Sequence, residues 1–154
     1  MQIVDDTAVR FTVPTDLVPT VINNIEKSEL VKTNGNLSEV LVYWGLDELT
    51  YLNRLIKFNK RLPSPITRDY HWPGLYKPFD HQRTTAEFLS INMRAFCFNE
   101  AGTGKTSSVV WAADYLMEQK AVKKVLVICP LSIMYSAWQA DVFKTAMHRR
   151  VAVA

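Results

Sequence analysis

Residues 95–106 read AFCFNEAGTGKT, and this stretch carries the clearest indication of the fold to expect around it. A short apolar run, Ala95 to Asn99, leads into a loop with glycines at positions 102 and 104, and helical periodicity follows. A phosphate-binding loop requires this order of strand, glycine loop and helix. Glycines let backbone N–H groups turn toward an anion, and the following helix directs the positive end of its dipole to the same point. The stretch therefore predicts an anion site at the carboxyl end of a buried strand.

Two side chains of the loop carry specific chemistry. Lys105 is placed to reach the β and γ phosphates of a nucleotide, and the Thr106 hydroxyl is placed to coordinate Mg²⁺. The strict pattern asks for glycine at position 99, where this chain has Asn99. A fortuitous glycine turn is the alternative interpretation.

Further strands and helices alternate on the carboxyl side of the loop. A helix is predicted from Thr106 to about Gln119, with Val109, Ala113, Leu116 and Met117 as its buried stripe. Val125–Cys129 is an uninterrupted apolar run typical of a parallel strand that is buried on both faces. Ser132 can cap a next helix with Trp138 in the core, and Val151–Ala154 resembles the start of a third strand. Together these elements predict a doubly wound parallel α/β layer.

The amino-terminal part has a different pattern. Thr7–Val13 alternates as a half-buried strand, and a helix is predicted after Asp16. An Asn34-Gly35 turn precedes a second strand, Ser38–Trp44, and Asp47 can cap a second helix. We therefore expect a small α+β accessory domain over residues 1–60, a proline-rich, extended linker over 61–75, and an α/β lobe over 76–154.

Composition excludes several classes of protein. The chain has 154 residues, 48% of them hydrophobic and 21% charged, which is a globular balance. Its net charge of +3 is too mild to indicate a nucleic-acid partner by itself, although residues 1–70 carry −1 and residues 71–154 carry +4. The two cysteines, Cys97 and Cys129, lie in apolar runs and suggest a reducing compartment, and no stretch resembles a signal peptide or a membrane span.

Three motifs resemble a known family. Residues 98–106, FNEAGTGKT, look like motif I of superfamily 2 helicases, especially the Swi/Snf-type DNA translocases, in which an acidic or amide residue precedes Glu and the first glycine is missing. Residues 76–82, YKPFDHQ, are similar to the family's adenine-reading element. Residues 127–132, VICPLS, with Trp138 and Asp141, resemble motif Ia and the helix after it. The lead-in over residues 69–74 looks most like phage-encoded helicases of this type.

The resemblance implies a RecA-like motor lobe and a role for each matching residue. Gln82 would read adenine, with Tyr76 or Phe79 stacking on the base, and motif Ia would contact DNA through Pro130, Leu131 and Ser132. Lys105 would be the catalytic lysine and Thr106 the metal ligand, with ATP and Mg²⁺ as cofactors. The ATP-binding residues implied are Gln82, Glu100, Ala101, Gly102, Thr103, Gly104, Lys105 and Thr106.

The same resemblance implies parts that the 154 residues do not contain. Hydrolysis of ATP in this family needs a second acidic motif and an arginine from a second lobe, and no Asp-Glu pair follows the phosphate loop. We therefore expect the amino-terminal part of a cytoplasmic DNA helicase, in the host cytoplasm if phage-encoded, with an incomplete motor lobe that binds nucleotide without hydrolysing it alone.

Two other classes stay open at this point. One is a stand-alone phosphate-loop enzyme such as a small kinase, for which Asp114, Glu118 and Asp141 are poor candidates as metal ligands. The other is a DNA-binding or protein-binding module without ATPase activity, in which residues 1–60 recognise the partner.

Overall fold

The computed structural model describes residues 1–59 and 61–153 and divides the chain into two compact units, one ending at Arg68 and one beginning at Asp69. Helices are combined with a four-stranded antiparallel sheet, so the chain belongs to the general α+β class. None of the described helices is both long and apolar enough to cross a membrane.

The first unit is built on the antiparallel sheet. Its strands are β1 (Gln2–Val4), β2 (Ala8–Pro14), β3 (Ser28–Asn34) and β4 (Leu37–Tyr43), in the spatial order β1-β2-β4-β3. Strands β2 and β4 confirm the two predicted from alternation. Sequence reasoning missed β1 and β3, although the Asn34-Gly35 turn between β3 and β4 is a strong hairpin signal.

One face of this sheet forms the core of the first unit. Its alternating side chains are buried, as are apolar residues of two helices, α1 (Val18–Asn24) and α2 (Leu46–Leu55). The buried apolar residues of these strands and helices include Val9, Phe11, Val13, Val21, Val40, Val42, Leu49 and Leu52. Gly45, and not Asp47, is the N-cap of α2, and Asp47 lies in the first turn.

The stretch predicted as an extended, proline-rich linker contains buried residues. Leu62, Ser64 and Ile66 are at most 3% exposed, and a short helix, α3 (Ile66–Asp69), follows the prolines. The Trp44 indole Nε1 donates to the Pro63 carbonyl oxygen at 3.0 Å, and the Trp44 side chain is buried. The two prolines indicated a stiff backbone, but they carried no information about what the apolar side chains beside them contact.

The second unit is helical in its described residues. Its main helices are α4 (Asp80–Ile91) and α5 (Lys105–Glu118), which pack against each other. A short α6 (Leu131–Ile133) continues through a π-helical turn, Met134–Gln139, into α7 (Ala140–Thr145), which contacts α5. The last helix was predicted with Ser132 as its cap, but Pro130 occupies the N-cap position.

The parallel sheet predicted around the phosphate loop is not formed among the described residues. Residues 95–99, 125–129 and 151–153 pair with no strand, and Ala154 lies outside the described part. Phe96, Phe98, Leu126 and Ile128 are each more than 80% exposed. Cys97 and Cys129 are free and partly exposed rather than buried. Apolar composition suits these segments for burial, but a strand also needs neighbouring backbone groups to bond with.

The buried face of α5 is not the predicted one. The predicted stripe at Val109, Ala113, Leu116 and Met117 is only partly covered, and Val109, Ala113 and Leu116 line an open apolar groove. The face turned inward instead carries Ser108, Trp111, Ala112, Asp114 and Tyr115. Both faces have helical spacing, so periodicity alone could not decide which one α4 and α7 cover. Trp138, predicted as core, is likewise only partly buried.

Candidate functional site

The loop between residues 99 and 104 reverses the chain through two left-handed glycines. Gly102 has φ of 77° and Gly104 has φ of 72°, and Gly104 is the N-cap residue from which α5 begins at Lys105. Residues other than glycine adopt these angles only with strain. The glycine spacing predicted from the sequence is therefore used for the expected purpose, which is a tight turn directly before a helix.

The backbone of this turn has unused hydrogen-bond donors. Within the described residues, no acceptor pairs with the N–H groups of residues 102–106. The first N–H groups of any helix lack partners inside the helix, and here the loop adds further ones. Such a cluster of N–H groups favours an anion, because the helix dipole places partial positive charge at the same end.

Lys105 lies folded back over the loop that precedes it. Its ammonium Nζ donates to the carbonyl oxygens of Asn99 at 2.9 Å and Glu100 at 2.7 Å. These carbonyls hold the charge of Lys105 near the glycine turn without an acidic partner. Thr106 makes no side-chain hydrogen bond with the described residues, so its hydroxyl is available to a ligand. Thr103 stabilises the turn by donating from Oγ1 to the Glu100 carbonyl at 2.8 Å.

Gln82 is brought to the same loop, although through a contact that the sequence did not predict. Its side chain is 8% exposed; Oε1 accepts from the Phe79 N–H at 3.0 Å, and Nε2 donates to the Thr103 carbonyl at 3.3 Å. Both ends of the amide are therefore engaged by protein. A Cβ on Gly104 would clash with Gln82 Nε2, so any other residue there would displace the end of the Gln82 side chain.

His81 is a residue of this site that sequence reasoning missed. Its ring Nε2 lies 3.0 Å from the Thr103 carbonyl oxygen, and since a carbonyl only accepts, that nitrogen carries the proton. The ring stacks on Phe79 with centroids 5.7 Å apart and planes 11° from parallel. The sequence signal that could have indicated His81 is its position directly before Gln82. Both residues lie in the first turn of α4, so a loop that contacts this turn can meet both of them.

The two candidate base-stacking residues differ in their placement. Phe79 is 68% exposed and is linked to the loop through the stacked His81 ring. Tyr76 is 69% exposed and has no hydrogen bond or ring contact within the described residues. The structure thus connects Phe79, but not Tyr76, with the glycine turn.

The candidate DNA-contact residues lie at the start of α6. Pro130, Leu131 and Ser132 are all exposed, and Leu131 is 81% exposed. The Ser132 carbonyl accepts from Ser136 Oγ at 3.1 Å, while its own hydroxyl has no partner among the described residues. No hydrogen bond or ring contact in the described part joins these three residues to the glycine turn.

A buried polar cluster occupies the opposite end of α5. The Asp114 carboxylate is 1% exposed and accepts from Tyr70 Oη at 2.6 Å, from His148 Nε2 at 3.0 Å and from Arg149 Nε. Burial, with the Asp114 hydrogen bond second, raises the pKa of the Tyr70 phenol above its usual value. Ligand atoms of Asp114, Glu118 and His148 lie within 4.8 Å of one another, but both Asp114 oxygens are already engaged by protein donors. The cluster therefore fastens two segments to α5.

Comparison of the chain with known proteins finds no matching family model, no matching curated protein and no matching solved structure.

Proposed function

We propose that the chain binds a nucleoside triphosphate with Mg²⁺ through its glycine turn and is part of an ATP-dependent DNA helicase or translocase of the Swi/Snf type. The observation that carries the proposal is the convergence of three groups at one turn. These are the unpaired N–H groups of residues 102–106, the Lys105 ammonium and the free Thr106 hydroxyl.

Each of these groups suits a different part of a Mg²⁺–triphosphate. The N–H groups suit phosphate oxygens, since they supply fixed partial positive charge without a mobile side chain. Lys105 adds a full charge, and its present acceptors are neutral carbonyls that a phosphate can replace. The Thr106 hydroxyl is a hard oxygen donor of the kind that Mg²⁺ takes.

The bound nucleotide would supply the free energy of phosphoanhydride hydrolysis to the intact motor. The residues of this chain hold and orient the triphosphate. In this proposal the acidic metal ligand and the arginine that hydrolysis requires come from parts of a helicase other than these residues.

The engagement of Gln82 refines its proposed role. Its Nε2 donates to Thr103 and its Oε1 accepts from Phe79, and the amide keeps a second N–H and a second lone pair with which it can bind the base while it holds the loop. We propose that Gln82 couples the presence of adenine to the position of the loop. Phe79, exposed and stacked on His81, supplies an apolar face for the base.

Direct titration of Mg-ATP into the purified chain tests the proposal, with a fluorescent triphosphate analogue as the probe. We expect binding in the wild type, and loss of at least tenfold in affinity for Lys105→Ala, because a charged hydrogen bond to phosphate is removed. Lys124→Ala is the matched control, since Lys124 is an exposed lysine that makes no hydrogen bond to the turn among the described residues. Equal binding by wild type and Lys105→Ala would contradict the proposal.

The DNA part of the proposal has its own test. Forked DNA should bind with a salt-dependent affinity that Ser132→Ala weakens and Lys105→Ala leaves unchanged, because the two residues share no contact. Loss of DNA binding in both variants would argue against two separate sites. If DNA binds but Mg-ATP does not, the chain is instead a DNA-binding module without a nucleotide site.

A further inference from the structure

Asn99, the residue that departs from the strict phosphate-loop pattern, contacts α4 through its side chain. Its Nδ2 donates to Thr85 Oγ1 at 2.9 Å, and Thr85 is 8% exposed. The backbone carbonyl of the same residue accepts from Lys105 Nζ at 2.9 Å. Asn99 therefore joins the helix that precedes the loop to the lysine that follows it.

The direction of this hydrogen bond is fixed by its surroundings. Thr85 Oγ1 already donates its single proton to the His81 carbonyl at 2.8 Å, so it can only accept from Asn99. Glycine at position 99 could make no such bond, and aspartate would offer an acceptor where a donor is needed. The pairing is thus specific for an amide with its nitrogen toward α4.

With this bond, the loop is held on α4 at both ends. Its beginning is tied by Asn99 to Thr85, and its end is tied by the Thr103 carbonyl to Gln82 and His81. The three α4 residues occupy neighbouring turns, so one rigid helix sets the positions of both ends. Lys105 is then held over the turn before any ligand arrives.

We propose that Asn99 is a positioning residue, which preorganises the phosphate loop and Lys105 by donating to Thr85. This inference rests on the proposed nucleotide binding and assigns a function to the departure from glycine. A free loop would have to be ordered when the ligand binds, and that cost would weaken binding. The bond removes part of the cost in advance.

The test compares two variants that remove opposite ends of the bond, the double variant that combines them, and one variant that keeps the bond. Asn99→Ala removes the donor, Thr85→Val removes the acceptor at nearly constant shape, and Thr85→Ser keeps the hydroxyl. We expect the first two to bind Mg-ATP roughly fivefold more weakly, the double variant to lose no more than one of them, and Thr85→Ser to bind like the wild type.

A second measurement does not depend on the nucleotide. Backbone ¹⁵N order parameters at residues 100–104 should fall in Asn99→Ala and Thr85→Val, while those in α5 stay unchanged. Affinities for Mg-ATP are measured below the melting temperature of every variant. A variant that only loses fold stability then has a lower melting temperature but an unchanged affinity.

The outcomes separate this inference from the proposed function. Mg-ATP binding that requires Lys105 but is unchanged in Asn99→Ala and Thr85→Val overturns the positioning role of Asn99 and leaves the proposed function standing. If the wild type binds no Mg-ATP, the proposed function fails, and unchanged order parameters would then overturn the positioning role of Asn99 as well. Additive losses in the double variant also contradict it, because they show that the two side chains act separately.

Discussion

Gln82 and Thr103 are joined by a hydrogen bond of 3.3 Å from the side-chain amide nitrogen to the backbone carbonyl oxygen. Gln82 stands in the first turn of α4, and Thr103 lies between the two glycines of the loop. The bond seats the loop on a helix that precedes it by about twenty residues, and a side chain at Gly104 would displace the Gln82 amide that makes it. The left-handed turn and the tertiary contact with Gln82 thus both restrict which residue can stand at position 104.

Replacement of Gly104 by alanine should be more damaging than the same change at Gly102. Both positions have positive φ, which costs an alanine about 1 kcal/mol in each case. Only at Gly104 would the new Cβ also meet Gln82, whereas nothing lies within 4 Å at Gly102. Urea unfolding should show the larger loss for Gly104→Ala, and adding Gln82→Ala should recover part of it. Equal losses in the two single variants would contradict the contact.

Lys120 offers a stabilising substitution at the end of α5. Its φ is 60°, and the N–H groups of Lys120 and Ala121 donate back to Met117 and Leu116, which is the pattern of a helix ended by a left-handed residue. Glycine favours this conformation, so Lys120→Gly should raise the free energy of unfolding by about 0.5–1 kcal/mol. Lys123→Gly is the matched control, because Lys123 is exposed without a positive φ and should gain nothing. A gain in both variants would show that loss of the lysine charge, and not relief of an unfavourable backbone conformation, raises the free energy of unfolding.

Tyr70 should make the fold sensitive to alkaline pH. Burial raises the pKa of its phenol in the folded state above the ordinary value of 10.0, which describes the unfolded chain. Below pH 10 both states keep the proton, so the stabilisation is complete. Above pH 10 the unfolded state releases the proton while the folded state retains it, and the free energy of unfolding falls by about 1.4 kcal/mol per pH unit from this group.

Tyr70→Phe provides the measurement. The variant loses the hydrogen bond to Asp114 and should be less stable at pH 8, yet its stability should fall less steeply between pH 10 and 11 than that of the wild type. Chemical unfolding at several pH values gives both slopes. Parallel slopes would show that Tyr70 ionises equally in the two states.

The exposed apolar segments should promote self-association. Leu126 and Ile128 are 84% and 89% exposed in a stretch with no strand partner among the described residues. The unpaired backbone N–H and C=O groups of an exposed apolar segment can pair with the same segment of another molecule. Ile128→Lys should lower the weight-average mass seen by sedimentation at tens of micromolar protein. Met93→Lys, which changes a 72% exposed side chain outside the segment, should have little effect. A larger fall in weight-average mass for Met93→Lys would show that the molecules associate through a surface other than residues 125–129.

Alternation and helical periodicity predicted most of the strands and helices that have one buried face. The central strands β2 and β4 and the helices α1 and α2 lie close to their predicted ranges, since each buries a face that its own spacing reveals. Helix α5 also lies close to its predicted range, although it buries a different face from the predicted one. Strand β3 escaped prediction because its residues are largely exposed and carry little alternation. The turn through Gly102 and Gly104 was predicted, because its conformation depends on these two residues themselves, whereas the strand predicted before it is not formed.

The contacts of the candidate site could be predicted only in part. Lys105 and Thr106 followed from the spacing of the motif, whereas His81, Thr85 and the bond from Asn99 could not, since they depend on how α4 lies against the loop. The buried face of α5 and the Asp114 cluster were missed for the same reason.

The sequence alone was enough to predict the helices α1, α2 and α5 and the turn through Gly102 and Gly104, and it names Lys105 and Thr106 as candidates for binding phosphate and Mg²⁺, because these predictions depend on φ preferences and spacing within a few residues. Only the tertiary structure decided which face of α5 is covered, that Gln82 and Asn99 hold the two ends of the loop on α4, and that residues 95–99 and 125–129 remain unpaired. Those features depend on groups far apart in the chain, and packing and hydrogen bonding between such groups leave no local pattern.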